Sequence, residues 1–473
     1  MTAQVGHHGA LGDLDEGSVP QLRTEVPGPR SLELADRDAR HHASNSSPPA
    51  QLLRVVPEDG HGALIRDVDG NVYIDLCSGV VVTNLGHAPA PVVAALQQEL
   101  GRLMHFFDFV TPARPAFFEA LAATLPPSLQ TFQMYTTGAE AVEAAIRLAK
   151  SYTGGYEVVC FDRAWHGRTL ATMALSGASP LKQGYGPFPP GAIRSPNAYP
   201  YRCPVGSCGK ITQDTCRLDC ARAIDRVYAE SGEGRLAAVI IEPVQGVGGV
   251  IPQPPEFLAH LREFCDRTGA LLIFDEVLTG AGRTGSMWAF EQSGVLPDVL
   301  VAGKGLGSGY PLSLLASRRE VLDAGHFGKP GAGASTFASG SLACTAGAAT
   351  LGMLADGTIL AGVRRTGELM LSALQELQAR HPIIGDVRGA GLLLGVELVT
   401  DRETRERPPA TVPRALMVAL ARRGVLTASP GPVLRLSPPL VISQRLALRA
   451  MELLDDALTE VERDFDIGTG GLR

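Results

Sequence analysis

Leu271-Leu272-Ile273-Phe274-Asp275 and Val299-Leu300-Val301-Ala302-Gly303-Lys304 are two apolar runs that close on opposite charges. Twenty-nine residues separate Asp275 from Lys304, room for one helix-length connection. Two such strands lie side by side in a parallel sheet, so the carboxylate and the amine emerge at the same edge. The chain has only five lysines (Lys150, Lys182, Lys210, Lys304 and Lys329) among its 42 basic residues, and Lys304 alone follows an apolar strand. An amine facing an acid in this way suits an aldehyde cofactor, which needs the amine for a Schiff base and the acid to keep its ring nitrogen protonated. The pair points to pyridoxal phosphate.

Outward from that pair, strand-like runs alternate with helical patterns. Strands are expected at Phe132–Tyr135, Glu157–Phe161 and Ala237–Ile241, and helices at Ala139–Lys150, Pro255–Thr268 and Val363–His381. The alternation predicts an α/β protein with a mostly parallel, doubly wound sheet. Ala63–Asp75 reads as a hairpin turning at Asp69-Gly70-Asn71, and the strand Leu392–Leu398 begins a smaller α+β domain. The expected organisation is an N-terminal tail or strap over 1–50, part of the small domain over 51–85, a large cofactor-binding domain over 86–344 and the rest of the small domain over 345–473.

At 473 residues, 45% of them hydrophobic, the chain can bury a large core. A formal net charge of −7 without a basic block argues against nucleic acid or an anionic membrane as partner. No apolar run approaches the ~20 residues of a spanning helix, and the first 50 residues lack signal-peptide order, so a cytoplasmic protein is expected. Cys203, Cys208, Cys216 and Cys220 fall in an insertion at 197–235 with spacing loose for zinc, and reduced surface thiols are expected there. The His7-His8 and His41-His42 pairs read as solvated, and no metal is expected.

Three further segments carry chemistry. Thr137-Gly138-Ala139-Glu140 turns from a strand into a helix, whose first N–H groups can hold a phosphate; an ordinary N-cap by Thr137 is the plain alternative. Trp165-His166-Gly167-Arg168 follows another strand, where the indole could stack on a ring and Arg168 could take a substrate carboxylate. Glu242 closes Ile240-Ile241 and needs a partner, for which Arg435 in Val433-Leu434-Arg435-Leu436 is the best candidate. Gly280-x-Gly282-x-x-Gly285 matches a dinucleotide fingerprint, but the following strand ends in Lys304 where that fingerprint needs an acid.

Together these segments resemble the class III pyridoxal-phosphate-dependent aminotransferases, the group of 4-aminobutyrate, ornithine and ω-amino transaminases. The resemblance runs from about Pro27 to the C-terminus. It rests on Asp67-x-Asp69-Gly70-Asn71-x-Tyr73-x-Asp75, Gly86-His87, Thr137-Gly138-Ala139-Glu140-Ala141, His166-Gly167-Arg168-Thr169, Glu242-Pro243-Val244-Gln245-Gly246, Asp275-Glu276-Val277, Lys304, Thr336 and Asp386-Val387-Arg388-Gly389.

It implies a type I fold and a homodimer with shared active sites. Lys304 would be the Schiff-base lysine and proton carrier, and Asp275 the partner of the ring nitrogen. Thr137, Gly138, Ala139 and His166 would contribute to the cofactor site, with Thr336 reaching the phosphate from the partner subunit. Trp165 would stack on the ring and Val277 would pack beneath it. Val80, Arg168, Glu242 and Arg435 would meet substrate, Arg435 taking the α-carboxylate of glutamate and Glu242 pairing with it when an ω-amine is bound. The implied reaction is transamination between an ω-amine or aldehyde and glutamate or 2-oxoglutarate.

The chain departs from the group at Leu278, where a glutamine is usual, and at Leu312-Ser313 and Ser339-Gly340-Ser341. These changes leave room for a specialised amine such as an amino-sugar as well as for 4-aminobutyrate. A racemase or aminomutase of the same fold is the alternative. A non-catalytic cofactor-binding regulator is more remote, because the N-terminal segment offers no basic DNA-binding module.

Overall fold

The computed structural model describes residues 11–177, 181–205, 216, 218–428 and 431–467; His7-His8 and Cys208 lie outside them. The chain divides into two compact units, one of residues 1–89 and 362–473 and the other of residues 90–361. This partition assigns Ser341–Leu354 to the second unit, whereas the sequence reading began the C-terminal part at 345.

The second unit is built on a seven-stranded sheet. Its order is 131–135, 313–317, 299–303, 271–276, 236–241, 157–161 and 192–195. Leu271–Glu276 pairs in parallel with Val299–Gly303 on one side and Leu236–Ile241 on the other, as the two apolar runs require. The register sets Asp275 opposite Val301 and Glu276 opposite Ala302, so Asp275 lies at the carboxyl edge from which Lys304 also emerges. The central strands are buried throughout, which is why they read as continuous apolar runs without alternation.

Two strands of this sheet are not expected from sequence. Ser313–Ser317 runs antiparallel between its neighbours and is bounded by serines. Both hydroxyls are satisfied inside the fold, Ser313 Oγ donating to Thr137 O (2.7 Å) and Ser317 Oγ to Asp298 O (2.6 Å). Ala192–Ser195 is a short edge strand with alternating exposure.

Helix Gly138–Thr153 buries one face against the sheet, with Val142, Ile146 and Leu148 joining Val158, Ile240, Ile273 and Val301 in one core. A capping box starts it, in which Thr137 Oγ1 accepts from Glu140 N and the Glu140 carboxylate accepts from Thr137 N. Gly154, at φ 70°, ends it in the left-handed conformation that favours glycine.

The first unit contains the hairpin Leu64–Asp67 and Val72–Asp75, flanked by Pro57–His61 and Val425–Leu426. A second, antiparallel sheet joins Ile384–Ala390, Leu393–Leu398 and Val433–Leu436, which carries Arg435. The described part of 1–50, read from sequence as tail or strap, includes helix Pro29–Asp38 and the start of helix Pro48–Leu53. The Asp69 carboxylate accepts from Arg30 N and Ser31 N (both 2.8 Å), fastening the first of these helices to the hairpin turn. No single helix among the described residues is long and apolar enough to cross a membrane.

Candidate active site

Within the second unit, a cavity of about 170 Å³ opens at the carboxyl edge of the sheet. Lys304, Asp275, Trp165, His166, Val277, Gly138, Ala139 and Glu242 line it together with Gly167, Val247 and Leu278. Eight residues selected from sequence therefore meet at one site, brought there by five different strand ends.

Asp275 is 5% exposed. Its Oδ2 lies 2.8 Å from His166 Nδ1, and its Oδ1 accepts from Val277 N (3.1 Å). His166, assigned from sequence to the cofactor site without a role of its own, stands behind Asp275 in the fold. His166 is itself fixed by its backbone N–H donating to Ser176 Oγ (3.0 Å), while its Nε2 is buried without a hydrogen-bond partner. Ser176 was not singled out, and no spacing rule would have found it.

Glu242 is also buried. Oε1 accepts from Trp165 N (2.8 Å) and Oε2 from Gly246 N (3.1 Å), so the acid joins the strand end to the Trp165 loop. Burial pushes its carboxyl up to about 7, against the pull of His166 and with a further push from Asp275. Lys304 has φ 44°, a left-handed backbone that a non-glycine residue adopts at a cost of ~1 kcal/mol or more and that marks functional sites.

The remaining expected residues lie outside this cavity. Thr137 caps the helix beginning at Gly138, and the Arg168 guanidinium stacks over the Trp165 ring at 5.1 Å. Thr336 lines a different cavity, of about 550 Å³, with Phe107, Tyr135 and Glu140. Val80 and Arg435 belong to the first unit, where Val80 borders a cavity of about 740 Å³. There the run Ser78, Gly79, Val80, Val81 holds φ values of 50°, 58°, 66° and 64°. For β-branched valines that is strained backbone, of order 1–3 kcal/mol per residue.

Comparison with known proteins agrees with this geometry. The model of the family described as aminotransferase class-III matches residues 45–458. The chain belongs to the class III aminotransferases. It is 38% identical over 450 residues to the 4-aminobutyrate aminotransferase of Mycobacterium leprae, covering 93% of this chain and 98% of that one. It is 38% identical over 422 residues to the diaminobutyrate–2-oxoglutarate aminotransferase of Rhizobium meliloti, covering 86% and 88%. An amine transaminase from an uncultivated Pseudomonas species, solved with pyridoxal phosphate bound, superposes with a TM-score of 0.83 at 29% identity, covering 89% and 98%.

The cofactor of this class III aminotransferase is pyridoxal phosphate, and the residues present fit it. A Cβ at Gly138 would come within 2.8 Å of Val277, and one at Gly167 within 2.8 Å of Ala139. Only glycine leaves the backbone this close, beside the first turn of a 16-residue helix that can receive a phosphate. The unpartnered Nε2 of His166, the acid behind the cavity and the lone strand-end lysine complete the polar set.

The raised Glu242 carboxyl makes stability depend on pH. A folded-state value near 7, above the ordinary 4.5, gives a contribution that is full below about 4.5 and is lost as pH rises through 7. Glu242→Gln, permanently neutral, is expected to narrow the stability difference of the cofactor-free protein between pH 5 and pH 8 by up to about 3 kcal/mol. Denaturant unfolding at the two pH values measures it; an unchanged difference would mean that Glu242 is already ionised at pH 5.

Proposed function

We propose that this aminotransferase moves an amino group between an ω-amine or its aldehyde and the glutamate/2-oxoglutarate pair. The observation that carries the reading is the single cavity joining Lys304, the Asp275–His166 pair, Glu242 and the start of helix Gly138–Thr153. The named activities of the relatives, on 4-aminobutyrate and on diaminobutyrate with 2-oxoglutarate, support it.

Bound pyridoxal phosphate supplies an aldehyde that condenses with amines and a protonated ring that draws electrons from the substrate carbon. Lys304 would hold the cofactor through Nζ, and its amine would serve as the base that moves a proton at the substrate carbon. Asp275 would pair with the ring nitrogen and hold a proton there, and His166 fixes its carboxylate. Trp165 and Val277 would flank the cofactor ring, and the Gly138 and Ala139 N–H groups would take its phosphate, with Thr336 of the partner subunit. Arg435 would receive the α-carboxylate of glutamate, and Val80, Arg168 and Glu242 are assigned to substrate.

We assign the active form to a homodimer in the cytoplasm. Met104, Phe106, Phe107, Phe109 and Val110 are each more than half exposed, as is Phe337, whose ring lies 5.2 Å from His105. This apolar surface adjoins Thr336, which its own chain keeps out of the Lys304 cavity. A second copy would cover the one and use the other.

The reading is tested by half-reactions. An ω-amine alone, added in excess, is expected to convert the cofactor to its pyridoxamine form with release of a carbonyl product, and 2-oxoglutarate to reverse it. Return of the amino group to the same molecule without a carbonyl product would identify a racemase or aminomutase instead. Sharing of sites is tested by mixing two inactive variants, Lys304→Ala and Thr336→Ala, after reversible dissociation. Mixed dimers should hold one site with both residues intact and regain about a quarter of parental activity after random pairing. No recovery would mean that each chain builds its site alone.

A further inference from the structure

The first unit fastens its strained segment to the strand that carries Arg435. Asp75 ends the strand Val72–Asp75, and its Oδ1 accepts from Cys77 N (2.7 Å) and Ser78 N (3.0 Å) while Oδ2 meets His87 Nε2 at 2.8 Å. The chain then enters the left-handed run from Ser78 to Val81. Its turns close through Val81 N to Cys77 O (3.0 Å), Val82 N to Ser78 O (2.7 Å) and Val80 N to Cys77 Sγ (3.2 Å).

Ser78 reaches across 359 residues of sequence. Its Oγ donates to Ser437 O at 2.6 Å, Ser437 N donates to Leu76 O at 2.8 Å, and Ser437 Oγ to Cys77 O at 3.3 Å. Both serines are at most 1% exposed. Ser437 lies two residues beyond Arg435, on the continuation of the strand Val433–Leu436. Burial and Asp75 push the Cys77 thiol up to about 11, and the Arg435 guanidinium opposes them. Val80, Cys77 and Asp75 line one cavity. Three hydrogen bonds thus join the wall of that cavity to the arginine strand.

We propose that Ser78 and Ser437 are positioning residues: their mutual lock fixes the Arg435 guanidinium relative to the Ser78–Val81 wall and so sets the affinity for a dicarboxylate substrate. A strained run relaxes unless its surroundings hold it, and a buried hydroxyl-to-carbonyl bond to the neighbouring strand does so. Relaxation would let the wall and the arginine strand move apart, and an arginine displaced from its bidentate geometry loses its carboxylate. The inference rests on the reading of Arg435 as the carboxylate-binding residue.

The test is a double-mutant cycle on the holoenzyme, using Ser78→Gly, which keeps the left-handed backbone accessible while removing the hydroxyl, and Arg435→Ala. Ser78→Ala repeats the hydroxyl loss should the glycine variant loosen the chain. Binding of glutarate, an unreactive dicarboxylate, is followed by calorimetry beside the glutamate KM and kcat. Ser78→Gly is expected to weaken glutarate and raise the glutamate KM by about tenfold, the scale of one buried hydrogen bond, with kcat changed far less. In the Arg435→Ala background the same substitution should have no further effect.

Equal, additive losses in both backgrounds would overturn the inference and make Ser78 merely structural. Parental glutarate binding by Ser78→Gly, with binding lost in Arg435→Ala, would overturn the inference and leave the Arg435 reading standing. Parental binding by Arg435→Ala would overturn that reading and the inference with it.

Discussion

A carboxylate buried at the end of a parallel strand needs a polar partner, and the 2.8 Å contact between Asp275 and His166 supplies one. Both groups are almost sealed from water. The proposed chemistry depends on this arrangement, because Asp275 would face the ring nitrogen of the cofactor that Lys304 would bind. The parallel sheet supplies the geometry: its register places Asp275 at the carboxyl edge, and the adjacent strand delivers Lys304 to the same edge. Glu242 ends the next strand over, and its raised carboxyl shows how costly a second acid is there.

The central sheet was legible because burial on both faces writes strands as unbroken apolar runs closed by a charge. The start of helix Gly138–Thr153 was legible because its cap is local, Thr137 to Glu140. The strand Ser313–Ser317 was not, since its flanking serines look like loop residues until their long-range acceptors are known. Residues up to 50 read as tail for a similar reason: helix Pro29–Asp38 is held by Asp69 and the segment at Arg23 by Asn71, both well separated in sequence.

The candidate site divides along the same line. Lys304 stood out through scarcity and Asp275 through position, and both lie on the cavity. His166 was selected without its task, since a contact across 109 residues leaves no trace in spacing. Ser78 and Ser437 were invisible for the same reason, although the strained run they secure contains Val80, which was selected. Leu278, the departure from the family pattern, lines the cavity and packs so closely on Gly246 that a Cβ there would come within 2.6 Å. The unusual chemistry of this chain therefore sits in apolar packing around a conventional polar centre.

The central claim is that Lys304 carries the cofactor. Borohydride reduction of the holoenzyme, which makes the lysine linkage permanent, followed by peptide mass mapping, tests it most directly. The account predicts the pyridoxyl group on the peptide containing Lys304 and on no other. The same group on Lys150, Lys182, Lys210 or Lys329, with Lys304 unmodified, would contradict it.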